Sequence, residues 1–142
     1  MRKKRCKKET GQRKKSSYEY LQEEIRRVKL PRIEVWENKY MDRDYTVHIK
    51  TDEFTCICPK TGLPDFAIIC IDYRPKRWCA ELKSFKLYLH AFRNVGIFHE
   101  HVANRILDDF VNSVKPHWAK LQMEFNLRGG VKTIIEREYT DR

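Results

Sequence analysis

Between residues 45 and 139 the spacing of apolar residues changes period twice, from two to between three and four and back to two. Few arrangements of a short chain satisfy that order. YTVHIK (45–50) sets Tyr45, Val47 and Ile49 on one face and Thr46, His48 and Lys50 on the other, which predicts a half-buried strand. FAIICIDY (66–73) is apolar almost throughout and rich in isoleucine, which predicts a strand covered on both faces. The period then lengthens. In SFKLYLHAFRNVG (84–96), Phe85, Tyr88, Leu89, Phe92 and Val95 recur at helical spacing, and Gly96 is placed to stop the helix. In FHEHVANRILDDFVNSVKP (98–116), Val102, Ile106, Phe110 and Val114 form the next stripe, with Pro116 past its end. Ala119, Leu121, Met123 and Phe125 alternate again, RGG (128–130) supplies a turn tolerant of positive φ, and VKTIIEREY (131–139) returns. Strand, strand, helix, helix, strand, strand predicts an α+β fold: a four-stranded antiparallel sheet with two helices on one face.

At 142 residues the chain has the length of one domain, and the net charge of +10 does not belong to that domain. Residues 1–29 hold twelve Lys/Arg against four Glu, a net of +8. MRKKRCKKETGQRKKSS is almost without large apolar residues and is expected to be disordered. It has the charge to attract RNA and equally the composition of a solvated tail. YEYLQEEIRRVKL (18–30) can form a short amphipathic helix ended by Pro31. The expected division is a basic tail over 1–29 and a folded domain over 30–142. The chain has no apolar run of membrane-spanning length, and its basic start lacks the apolar segment of a secretory signal, so a cytoplasmic protein is expected. Its five cysteines are odd in number and lack paired C-x-x-C spacing, so they are read as thiols.

Within CICPKTGLPD (56–65), Pro59, Gly62 and Pro64 hold Cys58 in a loop, unlike Cys70 inside its apolar run. Cys58 follows the first long strand and Asp65 opens the second, so the two can converge on one pocket. A structural thiol with a turn-capping aspartate explains them as well as a nucleophile with its acid does. A second cluster follows: Glu81 precedes a helix on which Lys83, Lys86, His90 and Arg93 share one side. That stripe reads either as a solvated face or, near a helix start, as a place for a phosphate. His99 and Glu100 open the next helix, and the Glu100 carboxylate matches two adjacent N–H donors such as those on the amidine-like edge of guanine.

CPKTGLPDF, ELKSFKLY, FRN with FHE, and the RGG turn, in this order and spacing, resemble the short single-domain form of the QueF family. These are NADPH-dependent nitrile reductases that convert 7-cyano-7-deazaguanine to 7-aminomethyl-7-deazaguanine in queuosine biosynthesis, a tRNA modification. The similarity runs from about Val35 to Tyr139 and leaves the basic tail outside. It implies the tunnelling fold (T-fold), a homo-oligomer of stacked rings such as a decamer, and active sites at subunit interfaces. By the same resemblance Cys58 is the nucleophile that forms a covalent thioimide, and Asp65 is the general acid, its carboxyl held partly protonated by burial. His99 and Glu100 bind the substrate, with His99 also moving protons. Ala80, Glu81 and Leu82 form the other side of the base pocket, and Lys83, Ser84, Lys86, Arg128 and Gly129 lie on the NADPH side. The reaction so implied consumes two NADPH and needs no metal. Two relatives of that superfamily set the alternatives. A zinc-dependent cyclohydrolase would need Cys56, Cys58, His99 and His101 as ligands, but C-x-C beside a proline fits neither common zinc spacing. An archaeal QueF-like amidinotransferase uses the same Cys and Asp on tRNA but lacks the ELKSFKLY box.

Overall fold

The computed structural model describes residues 28–142. The basic tail and the expected helix over 18–30 lie outside the described residues, except for 28–30, which carry no helix. The elements are β1 (Val35–Glu37), β2 (Val47–Ile57), β3 (Pro64–Arg74), β4 (Trp78–Ala80), α1 (Leu82–His90), a 3₁₀ turn (Ala91–Asn94), α2 (His99–Val114), β5 (Trp118–Phe125) and β6 (Ile134–Thr140). β2, β3, β5 and β6 form one four-stranded antiparallel sheet, as expected, and lie side by side in that order.

The stripes read in the sequence build the core. Val102, Ile106, Phe110 and Val114 of α2 and Ala119, Leu121, Met123 and Phe125 of β5 are buried, as are Phe85, Tyr88, Leu89 and Phe92. Each large apolar side chain so removed from water contributes roughly 1.5–3 kcal/mol. The two helical layers meet edge to face: the Phe110 ring lies 5.6 Å from that of Phe85 and 5.1 Å from that of Tyr73 on β3. α2 stops where Lys115 turns left-handed (φ 49°) before Pro116, which cannot continue a helix.

Four expectations are corrected. β2 runs to Ile57 instead of ending near Lys50, because an irregularity between Thr51 and Phe54 absorbs the polar TDE triplet and restores the register. β3 is central but covered on one face only: Asp65, Ala67, Ile69, Ile71 and Tyr73 point into the core, while Phe66 on the other face is 50% exposed. Its isoleucine-rich sequence does not distinguish these cases. Gly96 does not stop α1; the chain tightens into the 3₁₀ turn at Ala91, and Gly96 bridges to Ile57 as a parallel partner. Finally, β1 and β4 form a second, two-stranded sheet whose strands, at three residues each, are too short to show a period. Among the described residues no helix is long and apolar enough to cross a membrane.

Candidate active site

The last residue of β2 places the site. Ile57 donates its N–H to Val95 O (2.9 Å) and accepts from Ile97 N (3.1 Å), which straps the entry to α2 beside the strand end. His99, the first residue of α2, therefore stands next to the loop that begins at Cys58 and ends where Asp65 enters β3. That loop is closed by its own backbone. Cys58 N donates to Leu63 O and Gly62 N to Cys58 O, both at 2.9 Å, while Leu63 N donates to Thr61 Oγ1 at 3.2 Å. Gly62 sits at φ 70°, where a Cβ would meet no neighbour, so glycine is favoured there by conformation and not by space.

Asp65 faces the core and is 5% exposed, and both its oxygens have partners. Oδ1 lies 2.7 Å from Arg128 Nε and Oδ2 lies 3.1 Å from His99 Nε2. The His99 ring stacks on Phe125, with centroids 3.6 Å apart and planes 5° from parallel. Arg128 also donates to Pro64 O.

The two neighbouring cysteines are opposites. Burial pushes the Cys58 thiol up, but hydrogen bonds from the Thr61 hydroxyl and the Thr61 and Lys60 N–H groups outweigh it and bring the thiol below its ordinary value, against the Asp65 charge. Burial pushes Cys56 up to about 12, aided by the Asp65 and Cys58 charges and opposed by Arg128. Cys56 is fully buried and pairs across the sheet with Asp65. Cys58 is the thiol fitted to act as a nucleophile.

The start of α1 is organised differently. Glu81 caps the helix, its carboxylate accepting from Lys83 N (2.9 Å) and Ser84 N (2.7 Å), and those bonds hold its pKa below the usual carboxylate value. The N–H groups that a phosphate would use are therefore already engaged, and any anion site here rests on the exposed side chains of Lys83 and Lys86. Ser84 is buried at 6%, its hydroxyl donating to Glu81 O and accepting from Glu34 N, both at 2.8 Å, so it is not displayed to a ligand. Ala80 is buried at the end of β4 and Leu82 is exposed. Lys86 and His90 edge an apolar groove of about 220 Å³ between α1 and β2, floored by Phe54, Phe85 and Leu89. Glu100 is exposed in the first turn of α2, and among the described residues its carboxylate has no partner. Gly129 is in the hairpin turn at φ 56°.

The family profile described as QueF-like protein matches residues 64–142, more than half of the chain. This chain belongs to the QueF family. Among its relatives is the NADPH-dependent 7-cyano-7-deazaguanine reductase of Elusimicrobium minutum, 53% identical over 112 residues that cover 79% of this chain and 84% of the relative. The reductases of the same name from Thioalkalivibrio sulfidiphilus and Halorhodospira halophila are 52% and 49% identical, covering 75% and 78% of this chain and 83% and 93% of theirs. A solved structure, the archaeosine synthase QueF-Like in its apo form, superposes with a TM-score of 0.63 at 23% identity, covering 68% of this chain and 95% of that one. That likeness shows the fold, and the tunnelling fold expected from the sequence holds.

For this QueF chain, the structure brings Cys58, Asp65, His99 and Arg128 into one cluster. None of the hydrogen bonds of Glu81 or Ser84 reaches it. Sequence reasoning missed two contributors, Thr61 and Phe125. Thr61 carried a signal, since a threonine two residues before Leu63 in a Pro/Gly loop is placed for a side-chain turn. Phe125 read only as core. Arg128 was assigned to the cofactor side and stands on Asp65.

Proposed function

We propose that this chain reduces the nitrile of 7-cyano-7-deazaguanine to the aminomethyl group, with NADPH as reductant, on the way to queuosine in tRNA. The observation that carries the reading is a Cys58 thiol held below its ordinary value beside a buried Asp65 in contact with a partly buried His99, in a chain 53% identical over 79% of its length to a reductase of that name. The domain that does this is 30–142, with the basic tail 1–29 appended to it.

In the first step Cys58 Sγ bonds to the nitrile carbon, one π bond breaks, and the nitrogen takes one proton from the Asp65–His99 pair, leaving a neutral thioimide on Cys58. Two molecules of NADPH would supply the two hydrides of the four-electron reduction, one each, and nitrogen takes its second proton from water after the last. Between the two hydrides the carbon–sulfur bond breaks and Cys58 departs as the thiolate, which its loop hydrogen bonds stabilise. His99 and Glu100 at the start of α2 present a ring and an exposed carboxylate for the base, and Leu82 an apolar surface. The donor set fits a phosphate-bearing cofactor through Lys83 and Lys86, which are cationic and exposed, whereas Ser84 does not fit.

The pockets for base and cofactor are completed, in this reading, by neighbouring copies in stacked rings. Among the described residues no strand pairs with the outer edge of β2 before its end at Ile57 or with that of β6, and these edges and the exposed Phe66 support such assembly. The unpaired thiols of Cys56, Cys58, Cys70 and Cys79 support a reducing compartment, the cytoplasm. The amidinotransferase alternative rests on fold likeness alone. Two measurements test the reading: mass spectrometry of the protein with the free nitrile base and no reductant, and NADPH oxidation on adding that base. An adduct and oxidation support it; neither of these, with ammonia-dependent modification of tRNA carrying the nitrile, overturns it.

A further inference from the structure

We propose that Arg128 is a positioning residue for proton delivery, holding Asp65 so that the one proton the site can give lies on the line between Asp65 and His99. The inference rests on the reading that Cys58 adds to a nitrile whose nitrogen takes that proton. Arg128 is a permanent cation with donors and no acceptor, and with its Nε 2.7 Å from Asp65 Oδ1 it disfavours a proton on that oxygen. Oδ2 faces His99 Nε2 at 3.1 Å, which leaves this contact as the place for a shared proton. The geometry is braced at each end. The His99 ring is stacked on Phe125, and the second arm of the Arg128 fork donates to the carbonyl of Pro64, the residue that carries Asp65 into β3. The turn that presents Arg128 is itself closed by paired Arg128 and Val131 backbone groups, with Gly129 and Gly130 both at positive φ.

The groups facing Asp65 are His99 from α2, Arg128 from the β5–β6 turn, Cys56 across the sheet and Cys58 from the loop. Only Arg128 is a permanent cation. The reactive state then has Arg128 positive, Cys58 as thiolate, and one proton held by the Asp65–His99 pair together. As sulfur bonds to carbon, the pair gives its one proton to nitrogen and is left as Asp65 carboxylate and neutral His99. Total charge is zero before and after, and Arg128 stays on Oδ1 throughout.

Adduct formation without NADPH separates this role from a grip on cofactor phosphate. Arg128→Gln should slow thioimide formation about tenfold or more with the free nitrile. It should also move the descending limb of the rate against pH upward, because the Asp65–His99 pair holds its one proton to higher pH once the neighbouring cation is gone. Arg128→Lys, which keeps the charge but loses the fork, should restore the position of the limb and only part of the rate. An Arg128→Gln variant with unaltered adduct rate and pH profile and a raised KM for NADPH alone overturns the proposal and leaves Arg128 a phosphate contact. Equal thermal unfolding of variant and parent excludes loss of fold as the cause. Failure of the unmodified protein to form any adduct sinks the reductase reading, and this one with it.

Discussion

At the β2–β3 loop each side chain that carries chemistry is held by another: Asp65 by Arg128 and His99, His99 by Phe125, and Cys58 by the turn around Thr61. At the start of α1 the reverse holds. Glu81 and Ser84 are committed to the cap and to Glu34 just before β1, and the groups left for a ligand are long, exposed lysines. One region is organised within a single chain for bond making; the other offers separate point charges. Substitutions in the first should therefore abolish or cripple a step, and substitutions in the second should weaken binding by degrees.

The largest contrast is between adjacent cysteines. Cys58→Ala should give no mass adduct with the nitrile and no turnover. Cys56→Ala should keep the adduct while lowering the unfolding temperature, since Cys56 fills core space. An adduct that persists in Cys58→Ala would move the nucleophile elsewhere and break the contrast. Next comes Asp65→Asn, which keeps the shape but not the negative charge that holds the proton at its contact with His99, and turnover should fall on the order of 10²-fold or more. Near-normal turnover there would make His99 sufficient by itself.

What could be read from sequence divides along the same boundary. Val102, Ile106, Phe110 and Val114 announced α2 because a buried helical face must repeat, and the Cys58 loop was visible because Pro59, Gly62 and Pro64 forbid regular structure. The Arg128–Asp65 pair was not visible: it joins residues 63 apart through a turn whose direction depends on the β5–β6 register. Nor was the capping role of Glu81, for an acidic residue before a helix reads equally as a cap or a ligand. β3 misled because its isoleucines fit burial on both faces, whereas within one chain only one face is covered.

Weaker effects belong to α1. Lys83→Ala and Lys86→Ala should each raise the KM for NADPH about tenfold to a hundredfold, the loss of a charge-assisted contact worth roughly 1.5–3 kcal/mol. Adduct formation without NADPH should be unchanged, and a slowed adduct would mean that the two regions are coupled. Glu81→Ala should lower the unfolding temperature at neutral pH. The folded Glu81 pKa is depressed, so its stabilising contribution is present above the unfolded carboxylate value and is lost as pH falls through the folded one. The deficit of the variant should accordingly shrink in acid, and a deficit independent of pH would assign the effect to packing.

The smallest effect sharpens the comparison most, because it touches one hydrogen bond inside the organised loop. The Thr61 hydroxyl helps hold the Cys58 thiol below its ordinary value, so the thiolate fraction at neutral pH is larger than that of a free cysteine. Thr61→Val removes that bond, and the ascending limb of adduct formation should move to higher pH. The less acidic thiol is also the better nucleophile: with a Brønsted slope of about 0.4–0.5, each tenfold loss of thiolate returns roughly threefold in intrinsic rate. The rate near pH 7 should thus fall only about threefold for every tenfold drop in thiolate, and above the limb the variant should overtake the parent. Two profiles that cross are the signature of a tuned thiol. A uniform loss at every pH would mean that Thr61 serves only through its acceptor bond from Leu63 N, and Thr61→Ser, which keeps the hydroxyl for both bonds, should then behave as the parent in either case.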